Sequence, residues 1–523
     1  MTRFVFVFGG TISGLGKGLT VASIAKLLEL RNLKVGFLKL DGYLNTDAGT
    51  MNPSQHGEIF VTNDGYECDL DLGSYYRFTS HAKITRKSSV TMGQVIDTIL
   101  KQERLGTFLG KTIQFQPHVC DEIEKRILLA SENVDVLLCE VGGTVGDVEQ
   151  QWFLQAIARF SKTHMCINIH LGYLIFLKTT KEWKTKPTQN SIAMLTQTGN
   201  KTDILICRTE HACETEILDK ISYLCDIPRD CIFQEPDLTS TVYELPMMLH
   251  KEHIDDKILK LLSLPNESIN KPQYDHWKQL VFNITNNWDF VITIGIVGKY
   301  TSNQDSYKSI VESLIHSGAK LKVKLNLDFI CAEHVTDSLN LAHCDGILIP
   351  GGFGQRGWNG MIETSQICRE TNKPILGICL GMQAMCVEYA RNVCHLEGAD
   401  STEMDPNTQF PIFSLLEGQS EQKGGTMRLG SFNCTLTPGT KLSQLYQSTN
   451  IQETHRHRYE MVANLPGLII SGKNPELDLI EAVEISNHPF MIGVQYHPEF
   501  RSKLDQCHPV FEGFVQSILN TKL

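Results

Sequence analysis

Phe4–Phe8, Lys34–Leu40, Val134–Val141, Cys166–Leu171 and Asp203–Cys207 are short, nearly continuous apolar runs bounded by turn residues. Strands covered on both faces read this way, whereas strands with one wet face alternate apolar and polar residues. Between the runs, Leu19–Leu30 and Ser191–Thr198 carry helical spacing. Strand and helix therefore alternate, and layering such elements gives an α/β fold built on a parallel sheet.

The alternation fails between about Leu264 and Asp289. There Pro265-Asn266, Asn270, Pro272 and Asn283 through Asn287 interrupt it, while Trp277 and Leu280-Val281 mark a packed turn or two. Val291–Val297 restarts the pattern, followed by Lys324–Ile330, Gly346–Ile349 and Pro374–Ile378. This predicts two α/β domains, residues 1–264 and 291–523, joined by a linker over 265–290. Arg3 before Phe4–Phe8 resembles the start of a signal peptide, but the run is shorter than the about 7–15 residues of an h-region and Gly9-Gly10 end it. A buried first strand and a cytoplasmic location are expected instead. No run approaches the about 18 residues that a membrane helix needs, so no membrane partner is expected.

Lys and Arg total 48 against 59 Asp and Glu, a net charge of −11, which argues against nonspecific nucleic-acid binding. An anionic ligand must be held by local features. The 16 cysteines are scattered with no C-x-x-C pair, which predicts reduced and mostly buried thiols.

One such local feature follows the first strand. Gly9-Gly10-Thr11-Ile12-Ser13-Gly14-Leu15-Gly16-Lys17-Gly18 leads into a helix. Glycines let backbone N–H groups converge on phosphate, the helix dipole points at the same place, and Lys17 adds a full charge. The match to a phosphate-binding loop is imperfect: the first glycine comes one residue early, and Gly18 replaces the hydroxyl that would hold Mg²⁺. A tight turn with a surface lysine is the plainer reading, and the strand–turn–helix context favours a nucleotide.

Any Mg²⁺ must then find carboxylates. Glu67, Asp69 and Asp71 would share one side of an extended segment, and Glu140 ends the strand Val134–Val141, where ligands of open α/β sheets gather. The cluster Lys184-Thr185-Lys186-Pro187-Thr188-Gln189, like Lys39, reads alone as ordinary loop chemistry.

The second half carries a different chemistry. Gly377-Ile378-Cys379-Leu380-Gly381 is G-x-C-x-G between a strand and the helix Met382–Arg391, a thiol version of the nucleophile elbow. A helix N-terminus stabilises thiolate there. His497 and Glu499 would point to one side of an extended segment, giving a base and its orienting carboxylate. Pro350-Gly351-Gly352-Phe353-Gly354 offers N–H groups for an oxyanion. A lone cysteine is usually a core residue; elbow, His-x-Glu and glycine loop together point to a nucleophile.

Over nearly its whole length the chain resembles the CTP synthase family. The resemblance rests on Gly9–Gly18, Lys39-Leu40-Asp41, Gly49-Thr50-Met51, Gln55-His56-Gly57-Glu58, Asp69–Gly73, Glu140–Glu149 and Lys184–Gln189. In the second half it rests on Gly351–Gly354, Gly377–Gln383, Gly425–Gly430, His455–Tyr459 and Tyr496–Phe500. It implies an N-terminal P-loop-type parallel-sheet amidoligase domain joined to a C-terminal α/β class I (triad) glutaminase domain. The implied reaction is the last step of de novo CTP synthesis: ATP phosphorylates UTP at O4, and ammonia released from glutamine and passed inside the protein displaces the phosphate.

By the same resemblance Cys379, His497 and Glu499 are catalytic, and Gly352 and Leu380 form the oxyanion hole. Gly352, Gln383, Glu403, Arg456 and Arg458 bind glutamine. Ser13, Gly14, Leu15, Gly16, Lys17, Gly18, Lys39, Asp71 and Arg208 serve ATP. Ser13, Asp147, Glu149, Lys184, Lys186, Gln189 and Lys220 serve UTP, and Asp71 and Glu140 hold Mg²⁺. The family is a homotetramer, activated by GTP and inhibited by CTP. Phe8, Gly42, Ala48, Tyr76, Asn190, Leu174-Ile175 and Met361 depart from its usual residues. Two other readings stay open. One is an amidoligase with a fused glutaminase acting on a cobalt-corrin or similar carboxylate, against which Lys184–Gln189 and Gly49-Thr50-Met51 argue. The other is a non-enzymatic assembly or regulatory protein, against which the retained Lys17, Glu140, Cys379 and His497 argue.

Overall fold

The computed structural model describes residues 1–286, 288–416, 418–419 and 426–522; Asn287 and Gly425, both used in the sequence reading, lie outside them. The chain forms two compact units, Met1–Asp47 with Ser74–Val281, and Ala48–Gly73 with Phe282–Leu523. This division differs from the expected one in two places. Residues 48–73 pack with the C-terminal half, and the segment read as a linker contains the helix Lys271–Thr285. Trp277 of that helix is buried in the first unit, donating Nε1–H to the Tyr243 carbonyl at 3.0 Å with Lys26 Nζ 4.6 Å over its ring.

Among the described residues, the first unit's large sheet runs Ile232–Pro236, Ile204–Thr209, Cys166–Tyr173, Arg3–Gly9, Val136–Val141, Val35–Asp41 and Ser89–Thr91, all parallel. The expected strands are there, shifted by a residue or two at their ends. Phe4, Phe6 and Phe8 face one side of the sheet and pack with Phe153 and Phe160; Phe4 and Phe160 meet edge-on with ring centroids 4.8 Å apart. The helix Lys17–Glu29, buried along most of its length, packs against the strands Arg3–Gly9 and Val136–Val141. Burial of this apolar surface on both faces is why these strands carry no polar alternation.

The second unit's large sheet begins parallel, in the order Lys324–Cys331, Val291–Gly298, Gly346–Ile349, Ile375–Ile378 and Met491–Val494. It continues antiparallel through Ile480–Glu484, Ile469–Lys473, Arg428–Leu436 and Asn450–His457. Arg428–Leu436 largely alternates buried and more exposed residues, as a strand with one wet face does, whereas Asn450–His457 buries Glu453, Thr454 and His455 in succession. Residues 48–73 are bonded into this unit: Asn63 accepts from the Ser431 amide at 2.9 Å, and Phe60 meets Phe500 at 5.2 Å.

Candidate functional site

In the first unit the loop after strand Arg3–Gly9 turns through Gly14 (φ 72°) and Gly16 (φ 84°), left-handed positions open to glycine, before the helix starts at Lys17. Lys17 Nζ reaches back to the Gly143 carbonyl at 2.9 Å, and a Cβ on Gly9 would stand 2.6 Å from that nitrogen. The Val145 amide bonds the Gly9 carbonyl at 3.0 Å, so the loops after two adjacent strands are tied where ligands of parallel sheets collect. Ser13 and Gly14 are exposed, while Leu15, Lys17 and Gly18 are buried.

Glu140 is the penultimate residue of the strand Val136–Val141 beside this loop. Lys39 Nζ lies 2.7 Å from its Oε1, and the Tyr75 hydroxyl donates to its Oε2. No motif marks Tyr75; its ring stacks on Phe37 at 4.6 Å, fixing the hydroxyl over the carboxylate. Hard oxygen donors suit Mg²⁺, and each Glu140 oxygen keeps a second lone pair beyond these bonds. The Glu67–Asp71 segment departs from its expected extended form. Glu67 lies in the two-residue strand Glu67–Cys68 and pairs with Arg456 at 2.9 Å, while Asp71 sits in the first turn of the helix Leu70–Phe78; the segment is not extended through all three carboxylates.

The other expected nucleotide residues fall into two groups. Arg208 is held by Glu235 at 2.7 Å and Asp237 at 2.8 Å, and burial pushes the Glu235 carboxyl up to about 7 despite that guanidinium. Lys184, Lys186 and Lys220 are exposed, Lys184 pairing with Glu182 at 2.5 Å. The Lys184–Gln189 cluster is not a loop: Lys184 ends a short strand, and Lys186 opens the helix Lys186–Gln197 with Pro187 in its first turn. Asp147 accepts from the Thr144 amide and hydroxyl at 2.9 and 2.8 Å, and Glu149 is exposed beside Gly42.

In the second unit Cys379 sits between strand Ile375–Ile378 and helix Leu380–Asn392 at φ 52°, ψ −103°, a strained conformation for a side-chain-bearing residue. Gly377 and Gly381 make it feasible, since a Cβ on either would collide with neighbouring backbone. Leu380 is the first helical residue, so its amide lacks an i−4 partner and points past the elbow. Gly351 passes so close to the base that a Cβ there would lie 2.9 Å from His497 Cε1; Gly352 adjoins the Leu380 side chain.

His497 Nδ1 lies 2.7 Å from Glu499 Oε1, and its buried Nε2 makes no other hydrogen bond among the described residues. The pairing is as expected but its backbone is not. Pro498–Arg501 is a 3-10 turn, which brings residues two apart together by curling rather than by strand alternation. Burial works to lower the imidazole pKa, but the Glu499 carboxylate and the Cys379 sulfur outweigh it and raise it to about 10.

Around this pair lies a pocket walled by Glu58, Ile59, Tyr307, Gly351, Phe353 and Phe500, two of them from the 48–73 segment. Glu403 accepts the Gly354 amide at 2.7 Å, and burial raises its carboxyl. Arg456 lies 5.2 Å over the Phe353 ring, and Arg458 donates to Thr426 Oγ1 at 2.9 Å. Buried Gln383 donates to Gln495 at 3.4 Å, and Gln495 Nε2 donates to Cys379 Sγ at 3.5 Å.

Lys299, which no motif flagged, donates to the Phe353 carbonyl at 2.9 Å and to that of Gly354, holding the glycine loop; burial pulls its pKa down to about 8. Nearby His455, His457 and Glu481 cluster like metal ligands, but Arg428 fills their centre, 3.4 Å from each histidine and 2.7 Å from Glu481. Burial and Arg428 hold both imidazoles neutral, His457 down to about 3.

Comparison with known proteins places both halves of the chain. The family model of the CTP synthase N-terminus matches residues 3–264, and that of class-I glutamine amidotransferases matches 303–517. The CTP synthase of Protochlamydia amoebophila is 46% identical over 536 residues, covering 99% of this chain and 98% of that protein. The Chlamydia muridarum CTP synthase is 44% identical, covering 100% and 98%. A solved glutaminase domain of the Trypanosoma brucei CTPS with bound acivicin is 29% identical with a TM-score of 0.42, covering 44% of this chain and 94% of that one. Among the described residues no helix is long and apolar enough to cross a membrane. With relatives this similar along its entire length, the chain belongs to the CTP synthase family.

Proposed function

We propose that this chain aminates UTP to CTP, taking nitrogen from glutamine and a phosphoryl group from ATP, with its two units dividing the work. In the second unit Cys379 Sγ attacks the glutamine side-chain carbonyl, His497 takes the thiol proton, and the tetrahedral oxyanion rests on the Gly352 and Leu380 amides. His497 then protonates the leaving ammonia, and water releases glutamate from the thioester by the same base. Glu499 orients the imidazole, Gln383 and Glu403 address the substrate's amino end, and Arg456 and Arg458 its carboxylate.

In the first unit the Ser13–Gly18 loop and Lys17 cradle ATP phosphates, with Lys39 and Arg208 alongside. Ser13, Asp147, Glu149, Lys184, Lys186, Gln189 and Lys220 receive UTP. Asp71 and Glu140 would hold Mg²⁺, which supplies charge neutralisation on the phosphates. Phosphorylation of O4 converts a poor leaving group into phosphate, and ammonia displaces it at C4. The reading extends to a cytoplasmic homotetramer activated by GTP and inhibited by CTP.

The observation that supports it most is the Cys379–His497–Glu499 arrangement, with Nδ1 to carboxylate at 2.7 Å, in a chain that also carries the Lys17 loop. The test is CTP formation from UTP, ATP and Mg²⁺ with glutamine and again with ammonia. Cys379→Ala should abolish the first and spare the second; loss of both in a folded variant sinks the division of labour.

A further inference from the structure

We propose that Asp328, His343 and Cys344 form a metal site for a zinc-type divalent cation at the edge of the second unit's large sheet. Lys324–Cys331 is the edge strand, and Asp328 on it stands in register with Gly295 of strand Val291–Gly298. His343 and Cys344 lie in the turn leading into Gly346–Ile349, whose Ile347 is in register with the same Gly295 from the other side. The three side chains thus meet across one strand.

Their spacing suits the ion. His343 Nε2 is 2.7 Å from Asp328 Oδ2 and 3.4 Å from Cys344 Sγ, and one ligand atom from each residue lies within 4.8 Å of the other two. Bonds of about 2.0–2.3 Å in a tetrahedron separate ligand atoms by about 3.3–3.8 Å, so small side-chain rotations close the set on a metal. Thiolate and imidazole favour zinc over magnesium or calcium. Cys344 is buried while His343 and Asp328 are about half exposed, which leaves an entry path and a fourth position for water. Lys373 Nζ braces the turn from behind, donating to the Leu341 and Cys344 carbonyls at 2.6 and 2.5 Å.

Gly295 is an independent sign that the sulfur's seat is built. A glycine inside a strand weakens it, and its extended backbone here does not require one. A Cβ at Gly295 would stand 2.9 Å from Cys344 Sγ, with Ile347 packed equally close. Unlike the His455–His457–Glu481 cluster, this one has no guanidinium at its centre among the described residues.

Titration of the full-length chain with Co²⁺ tests this directly. The expected result is one equivalent bound, with a thiolate-to-cobalt charge-transfer band and tetrahedral visible bands that Zn²⁺ erases. Cys379→Ser should keep these bands and Cys344→Ala should lose them. Because Cys344 lies in the core, the exposed His343→Ala is the second arm. It should weaken binding by about tenfold or more, since even outer-shell partners are worth about 10–100-fold. No thiolate band in the unsubstituted chain, bands that survive in Cys344→Ala, bands that vanish in Cys379→Ser, or unchanged affinity in His343→Ala would each overturn the assignment.

Discussion

Arg456 Nε lies 2.9 Å from Glu67 Oε1, a mostly buried ion pair whose partners are 389 residues apart in sequence. The pair fastens the 48–73 segment to the strand Asn450–His457, which carries Arg456, the arginine proposed above to meet glutamine. Removing one partner of a buried pair costs about 3–5 kcal/mol, because the other charge stays behind. Glu67→Gln should lower the unfolding free energy toward that extent and raise the KM for glutamine, leaving ammonia-dependent CTP formation intact. Denaturant unfolding together with the two assays checks it; equal loss with both nitrogen sources would contradict the placement.

His497 gives a pH signature. Its folded-state value of about 10 lies above the ordinary 6.5, so the folded chain holds this proton more tightly than the unfolded chain. The resulting stabilisation is complete below about pH 6.5 and is lost as pH rises through about 10. Stability curves of the natural chain and His497→Gln should therefore converge toward high pH. A constant difference between them across this window would show that the imidazole gains no proton affinity on folding.

Glu140 is positioned from two sides, and each side can be removed. Tyr75→Phe should shift the Mg²⁺ dependence of synthesis to higher concentration with either nitrogen source, because the carboxylate loses the bond that orients it. Glu140→Gln should suppress synthesis far more, because it removes the carboxylate charge itself. In both variants thioester formation at Cys379, followed with labelled glutamine, should be unchanged. A normal Mg²⁺ profile in Tyr75→Phe would reduce the hydroxyl to packing.

Lys299 should matter to glutamine hydrolysis without touching glutamine. Lys299→Met keeps most of the side chain's bulk and removes the donor that ties the Phe353 and Gly354 carbonyls. The expected loss is in kcat rather than KM, up to the about 10²–10³-fold of losing an oxyanion donor. Recovery in Lys299→Arg would support positioning by hydrogen bonding, whereas a pure KM effect would point to substrate contact.

What the sequence made legible was local. The parallel strands, the glycine loop before Lys17 and the Cys379 elbow each carry their cause within a dozen residues, as apolar runs, glycines and turns. Glu67 and Lys299 carry no such mark, because their partners are brought by the tertiary fold. Glu67 stands among three candidate carboxylates in the sequence, and a carboxylate beside two others looks the same whether it meets an ion or an arginine. The Lys184–Gln189 stretch reads as ordinary loop chemistry because its cations, hydroxyls and amide carry no apolar periodicity, yet Lys186 opens a helix with Pro187 in the first turn, where proline fits. His497 and Glu499 met through a 3-10 turn that spacing alone does not distinguish from a strand.

Glu58 accepts the Ser309 amide at 3.1 and 3.0 Å as well as the Ser309 hydroxyl, standing as an anion at the start of helix Lys308–Leu321. Genetic separation of the two halves must reckon with this. A fragment starting at Phe282 would lack that anion, the partner of Arg456, and the pocket wall at Ile59. The chain passes from one unit to the other after Asp47, after Gly73 and after Val281, so no single cut yields a whole half. A split glutaminase from this protein that carries residues 48–73 on a tether should therefore be more stable than the bare Phe282–Leu523 fragment, which thermal unfolding of the two fragments checks.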